Sequence, residues 1–159
     1  MVDMSALPVL PAFPSSLLSD VQSGAVELKV GMDLVVISRI AASVQKFGDR
    51  FTQRIFTPLE LEYAMSSPPL MTERLAARFA AKEAALKALS LADKGVAWRD
   101  MEVFRQEDGQ CALKLHGKAA ELARCAGIVK TALSLTHDGD HAAAIVAALV
   151  DTSSQRVSE

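Results

Sequence analysis

The apolar positions of this chain change period several times, and each change marks an element. From Val26 the residues alternate: Val26, Leu28, Val30 and Met32 are apolar, whereas Glu27, Lys29, Gly31 and Asp33 take the other side. Period two with one polar side predicts a half-buried strand, with Asp33 at its end where the period shifts. Ile37, Ile40, Val44 and Phe47 then recur at three and four, the stripe of an amphipathic helix closed by Gly48. Its opposite face carries Arg39, Ser43, Lys46 and Arg50. A second helical stretch from Pro58 to Met65 stops at Ser66–Ser67–Pro68–Pro69. A long helix is predicted from Thr72, as its N-cap, to about Leu91, with Leu75, Phe79, Leu86 and Leu89 as its buried stripe.

Met101 to Arg105 and Cys111 to Leu115 read as a hairpin around Glu107–Asp108–Gly109–Gln110. Gly117 to Ala126 is a short alanine-rich helix stopped by Gly127. Ile128 to Thr136 and His141 to Leu149 form a last strand pair turning at Asp138–Gly139. Hairpins mixed with helices predict an α+β fold, an antiparallel or mixed sheet packed with a long helix, rather than a doubly wound parallel sheet. Residues 1–24 hold Pro8, Pro11 and Pro14 with several serines, an extension with little structure of its own beyond what Leu7, Val9, Leu10 and Phe13 can pin. The domain is expected to span 25–150, followed by a polar, flexible tail at 151–159.

Composition narrows the function classes. Half of the 159 residues are apolar, enough for one globular domain with a real core. A net charge of −2 gives no global signal for nucleic acid, so an acidic partner must meet a local basic patch. Cys111 and Cys125 provide neither a disulfide framework nor zinc spacing. No secretory signal is evident, and the run from Ala142 to Val150 is far shorter than the roughly 20 residues that cross a bilayer. A soluble, cytoplasmic protein with no membrane partner is expected.

The long helix carries the candidate chemistry. On a helical wheel Glu83 and Lys87 fall at one edge of the apolar band and Arg78 just beyond the other, while Lys82 falls inside it. A lysine there is costly unless it snorkels or has a partner. Two separated acids, Asp33 and Glu83, with Lys87 one turn past the second, are what magnesium-dependent attack on a pyrophosphate requires. Blander readings stand beside this one. Glu83 and Lys87 also fit an exposed i,i+4 pair worth about 0.3–0.5 kcal/mol, and Asp33 fits a helix cap. Thr136–His137 suits a phosphate contact or an exposed turn. Arg39, Lys46 and Arg50 suit an acidic helix or plain solvent.

Three segments together resemble a known family. Gly31–Met32–Asp33–Leu34–Val35–Val36–Ile37–Ser38–Arg39–Ile40, then Arg78–Phe79–Ala80–Ala81–Lys82–Glu83–Ala84–Ala85–Leu86–Lys87–Ala88, then Ser134–Leu135–Thr136–His137, are similar in kind and order to holo-[acyl-carrier-protein] synthase, the small bacterial-type 4′-phosphopantetheinyl transferase. Glu102–Val103–Phe104 and Leu115–His116–Gly117–Lys118–Ala119 fit the region between, so the likeness runs from about Val30 to Val150. It implies a homotrimer of α+β subunits with active sites at subunit interfaces. It implies transfer of 4′-phosphopantetheine from coenzyme A to a serine of apo-acyl carrier protein, releasing adenosine 3′,5′-bisphosphate. Asp33 and Glu83 would hold Mg²⁺, Lys87 would stabilise the transferring or leaving group, and Glu83, directly or through a metal-bound water, would serve as base. Arg78, Lys82, Thr136 and His137 would bind the nucleotide part of coenzyme A. Arg39, Lys46, Arg50 and Phe51 would receive the carrier's acidic helix. The family commonly runs from its long helix into a glycine, where this chain has Ser90. The alternative is a non-catalytic module of the same fold that binds carrier protein or nucleotide.

Overall fold

The computed structural model describes residues 26–153; the expectations for the N-terminal extension and the end of the tail lie outside them. Every strand pair is antiparallel, as an α+β chain built from hairpins requires. Strand β1 (Val26–Val36) pairs with β5 (His141–Asp151), which pairs with β4 (Ile128–Asp138), giving the order β1-β5-β4. Strands β2 (Met101–Arg105) and β3 (Cys111–Leu115) form a separate hairpin. Between β1 and β2 run helices α1 (Ile37–Phe47), α2 (Asp49–Ile55), α3 (Pro58–Met65) and α4 (Met71–Ala88). Helix α5 (Gly117–Cys125) connects β3 to β4.

Strand β1 keeps the expected alternation but runs three residues past Asp33, and its faces are exchanged. Gly31 is buried against α4, whereas Leu28, Val30, Met32 and Leu34 are 59–65% exposed. The exchange has a steric cause. A Cβ on residue 31 would lie 2.1 Å from the Ala84 carbonyl oxygen and 2.6 Å from the Ala88 nitrogen, so only glycine lets the helix lie this close. Alanines complete the close packing. Ala80, Ala81, Ala84, Ala85 and Ala88 meet Ala144, Val146 and Ala148 of β5 in the main core. Helix α4 is therefore buried around most of its girth, with Phe79 and Leu86 only half-buried, instead of along the expected stripe.

The helix ends also depart from expectation. Thr72 lies inside the first turn of α4, because a 3₁₀ turn at Pro68–Leu70 feeds the helix one residue earlier. Helix α2 follows Gly48 directly, so Arg50 and Phe51 sit on a short second helix rather than at the exit of α1. Val36 gives α1 no side-chain cap; Asp140, from the β4–β5 turn, supplies one. Its Oδ1 accepts from the Ser38 nitrogen at 2.8 Å and its Oδ2 from Ser38 Oγ at 2.6 Å. Those two bonds hold the Asp140 carboxyl below its ordinary pKa.

At the far end of α4, the Leu91 nitrogen donates to the Leu86 oxygen at 2.9 Å and the Ser90 nitrogen to the Lys87 oxygen at 3.3 Å. This closure puts Ser90 at φ +54°, the left-handed region that favours glycine. Ser90→Gly is therefore expected to stabilise the fold by about 0.5–1 kcal/mol and raise Tm by a few degrees. Thermal melts at matched protein concentration check this, and an unchanged or lower Tm would show that no strain is stored there.

Candidate active site

The close crossing of β1 and α4 at Gly31 fixes the chemistry two residues further along. Asp33 lies on the same side of β1 as Gly31, so its carboxylate meets the α4 turn that carries Glu83 and Lys87. Lys87 Nζ is 2.8 Å from Asp33 Oδ1 and donates to the Met32 carbonyl at 2.9 Å. The bond to Asp33 raises the pKa of the exposed Lys87 ammonium. Glu83 is pushed up by burial first and by the Asp33 charge second, while Lys87 pulls it back. Two carboxylates held this way, one of them disfavoured as an anion, suit a cation between them.

Asp33 and Glu83 open into a cavity of about 410 Å³ that Val36, Arg39, Ser43 and Phe79 also line. Phe79 is steadied by stacking on Trp98, ring centroids 5.1 Å apart. The expected trio of Asp33, Glu83 and Lys87 thus converges, and Arg39, expected at the carrier surface, joins it. Magnesium ordinarily takes one or two protein carboxylates and completes its shell with water and substrate phosphate, so this donor set fits it. Lys46 and Arg50 are exposed away from the cavity. Phe51 is half-buried with its ring edge-on to Phe56, at 6.3 Å between centroids, so it belongs partly to the core.

Lys82 corrects an expectation. It does not reach a nucleotide site: its side chain is 0% exposed, with Nζ 2.7 Å from Glu60 Oε2 and donating to the carbonyls of Ile55 at 2.7 Å and Trp98 at 3.1 Å. All three ammonium protons are committed to the core. Glu60 was absent from the sequence-based site, although Thr57–Pro58–Leu59–Glu60 has capping-box spacing. The box is present, with Glu60 Oε2 accepting from the Thr57 nitrogen at 2.8 Å. Its other oxygen accepts from the Val103 nitrogen at 2.9 Å, joining α3 to β2.

The remaining expected residues lie elsewhere. Arg78, 3% exposed, opens into a separate cavity of about 400 Å³ with Tyr63, Ser66 and Arg105. Its guanidinium lies 4.3 Å from the Tyr63 ring centroid, and among the described residues its Nε has no hydrogen-bond partner. Thr136 and His137, adjacent on β4, point to opposite sides of the sheet, so the strand separates them. Thr136 stands opposite Ala143 on the open apolar face. His137 shares the α4 side, with Nε2 3.2 Å from Glu73 Oε1.

Residues 29–146 match the family model described as 4'-phosphopantetheinyl transferase superfamily. A holo-[acyl-carrier-protein] synthase of Koribacter versatilis is 47% identical over 120 residues, which cover 75% of this chain and 95% of that protein. One of Geobacter sulfurreducens is 43% identical over 117 residues, 73% of this chain and 92% of its own. Among solved structures, a Chronobacterium ammoniagenes ACPS–CoA complex superposes with TM-score 0.68 at 38% identity, covering 77% of this chain and 96% of that one. The Helicobacter pylori holo-[acyl-carrier-protein] synthase in complex with coenzyme A gives 0.66 at 28% identity, covering 75% and 98%. The acid-bearing β1–α4 crossing lies within the matched residues, and the chain belongs to the 4′-phosphopantetheinyl transferase superfamily, among the holo-[acyl-carrier-protein] synthases.

Proposed function

We propose that this protein transfers 4′-phosphopantetheine from coenzyme A to a serine hydroxyl of an apo-acyl carrier protein. The observation that carries the reading is the meeting of Asp33, Glu83 and Lys87 beside a cavity that Arg39 shares. Asp33 and Glu83 would hold Mg²⁺, which when bound neutralises pyrophosphate charge. The carrier serine oxygen forms a bond to the β-phosphorus of coenzyme A, and the bond from that phosphorus to the bridging oxygen breaks. The products are the phosphopantetheinyl carrier and adenosine 3′,5′-bisphosphate. Glu83, whose pKa burial raises, takes the serine proton. Lys87 stands on the surface side of Asp33, where its ammonium meets the charge that builds on the leaving phosphate. His137 and, from its separate cavity, Arg78 are proposed as further phosphate contacts.

Intact-mass spectrometry of an apo-acyl carrier protein incubated with the protein, coenzyme A and Mg²⁺ tests this. A magnesium-dependent gain of one phosphopantetheine group, lost with EDTA, is the expected result. No gain across carriers of fatty-acid and polyketide type, with coenzyme A still bound, would favour the non-catalytic module. As an enzyme acting on soluble carriers it is assigned to the cytoplasm; among the described residues no helix is long and apolar enough to cross a membrane.

The carrier is met by the basic helices. Because Arg39 lines the acid cavity, Arg50 is the cleaner probe of docking. Arg50→Glu is expected to raise KM for the carrier about tenfold at low salt, with the difference shrinking as salt rises and KM for coenzyme A unchanged. Salt-independent carrier kinetics would remove this helix from the docking surface.

A homotrimer is proposed on the open sheet face. Leu28, Val30, Met32 and Leu34 of β1 and Ile145 of β5 expose a contiguous apolar surface of the kind that another copy covers. Sedimentation is expected to give the mass of three chains, and Val30→Asp to give the mass of one. A monomeric parent protein, or a variant that still sediments as three chains, would overturn this assembly.

A further inference from the structure

We infer that Glu73 is a positioning residue for His137, orienting the imidazole for its contact with a coenzyme A phosphate. The inference rests on the proposed role of His137. Glu73 sits in the first turn of α4 and His137 near the end of β4, so two separate elements bring them to 3.2 Å, Nε2 to Oε1. The His137 side chain is more than half exposed. An exposed imidazole flips freely about its terminal torsion, and ordering it at the moment of binding costs affinity. With Nε2 turned to Glu73, Nδ1 is the other ring nitrogen, and in the doubly protonated imidazolium its N–H is the donor left for a phosphate oxygen.

An acid in a first helical turn also has a plain explanation, since it complements the helix dipole. The two roles separate by measurement: the dipole role acts on stability, the positioning role on substrate affinity. Neither Glu73 nor its contact adjoins the Asp33–Glu83 pair along the chain, so an effect on coenzyme A through metal ligation is not expected.

The test is a double-mutant cycle, Glu73→Gln and His137→Ala alone and together, read as KM for coenzyme A and kcat. Glu73→Gln is expected to raise KM about two- to fivefold with kcat unchanged, the size of one partly exposed charged contact. In the His137→Ala background the same change is expected to do nothing further. A normal KM in Glu73→Gln, or an equal rise in both backgrounds, overturns the inference, and the second result also covers a general folding defect. If His137→Ala itself leaves KM unchanged, the proposed phosphate role of His137 fails and the inference falls with it.

Discussion

Lys82→Met is expected to cost about 3–5 kcal/mol of stability, the range for removing one partner of a buried ion pair. The size follows from what remains. Lys82 and Glu60 are both 0% exposed, so the substitution leaves a carboxylate without its counter-ion in the core. The backbone nitrogens of Thr57 and Val103 still donate to Glu60, but the Ile55 and Trp98 carbonyls lose their donor. Burial pulls the Lys82 ammonium down from its ordinary pKa and the Glu60 charge opposes that pull. The pair is therefore strained by desolvation and held by contact. Replacing both residues with Glu60→Leu and Lys82→Met should recover much of the loss, because no unpaired charge is left. Denaturant titrations at one protein concentration measure both. A cost below about 1 kcal/mol for Lys82→Met, or a double variant no better than the single, would mean that the charge is solvated or neutral.

This pair also marks where sequence pattern stopped being informative. Lys82 inside an apolar band announces a buried cation, but nothing in spacing says that its partner lies 22 positions earlier on another helix. Glu60 looks like an ordinary capping-box residue, and it is one; its second carboxylate oxygen and the lysine are tertiary facts. Strand β1 teaches the complementary lesson. Its alternation is legible, but a half-buried strand with one polar side suggests apolar residues toward the core, whereas the side with Gly31 packs on α4. The proposed trimer would cover the open face as well, and apolar side chains suit a face that meets another copy. Gly31 was the available signal, since a glycine in a strand interior often marks a close backbone approach. Helix α2 escaped because seven residues after a glycine carry too little periodicity, whereas Asp33, Glu83 and Lys87 were found from spacing combined with family likeness.

Glu83→Gln and Asp33→Asn are each expected to cut phosphopantetheine transfer about 10³-fold or more, since each removes charge proposed to hold the metal and, for Glu83, the proposed base. What distinguishes a functional acid from a structural one is the accompanying change in stability. Burial and the neighbouring Asp33 both disfavour the Glu83 anion, so folding is penalised by whatever negative charge that side chain carries. Glu83→Gln removes that charge in nearly the same shape, and its Tm in EDTA should equal or exceed the parent's. Asp33→Asn loses its contact with Lys87, but that lysine is half exposed and the pair is screened, so the thermal cost should be small. Loss of transfer with stability kept or gained is the mark of groups placed for a cation and a substrate rather than for the fold. Transfer followed by intact mass, beside melts in EDTA and in Mg²⁺, reads both quantities. Parent-like turnover in either variant would move the metal site elsewhere. A Tm for Glu83→Gln that falls by more than a few degrees would instead place Glu83 among the residues that hold the β1–α4 crossing together.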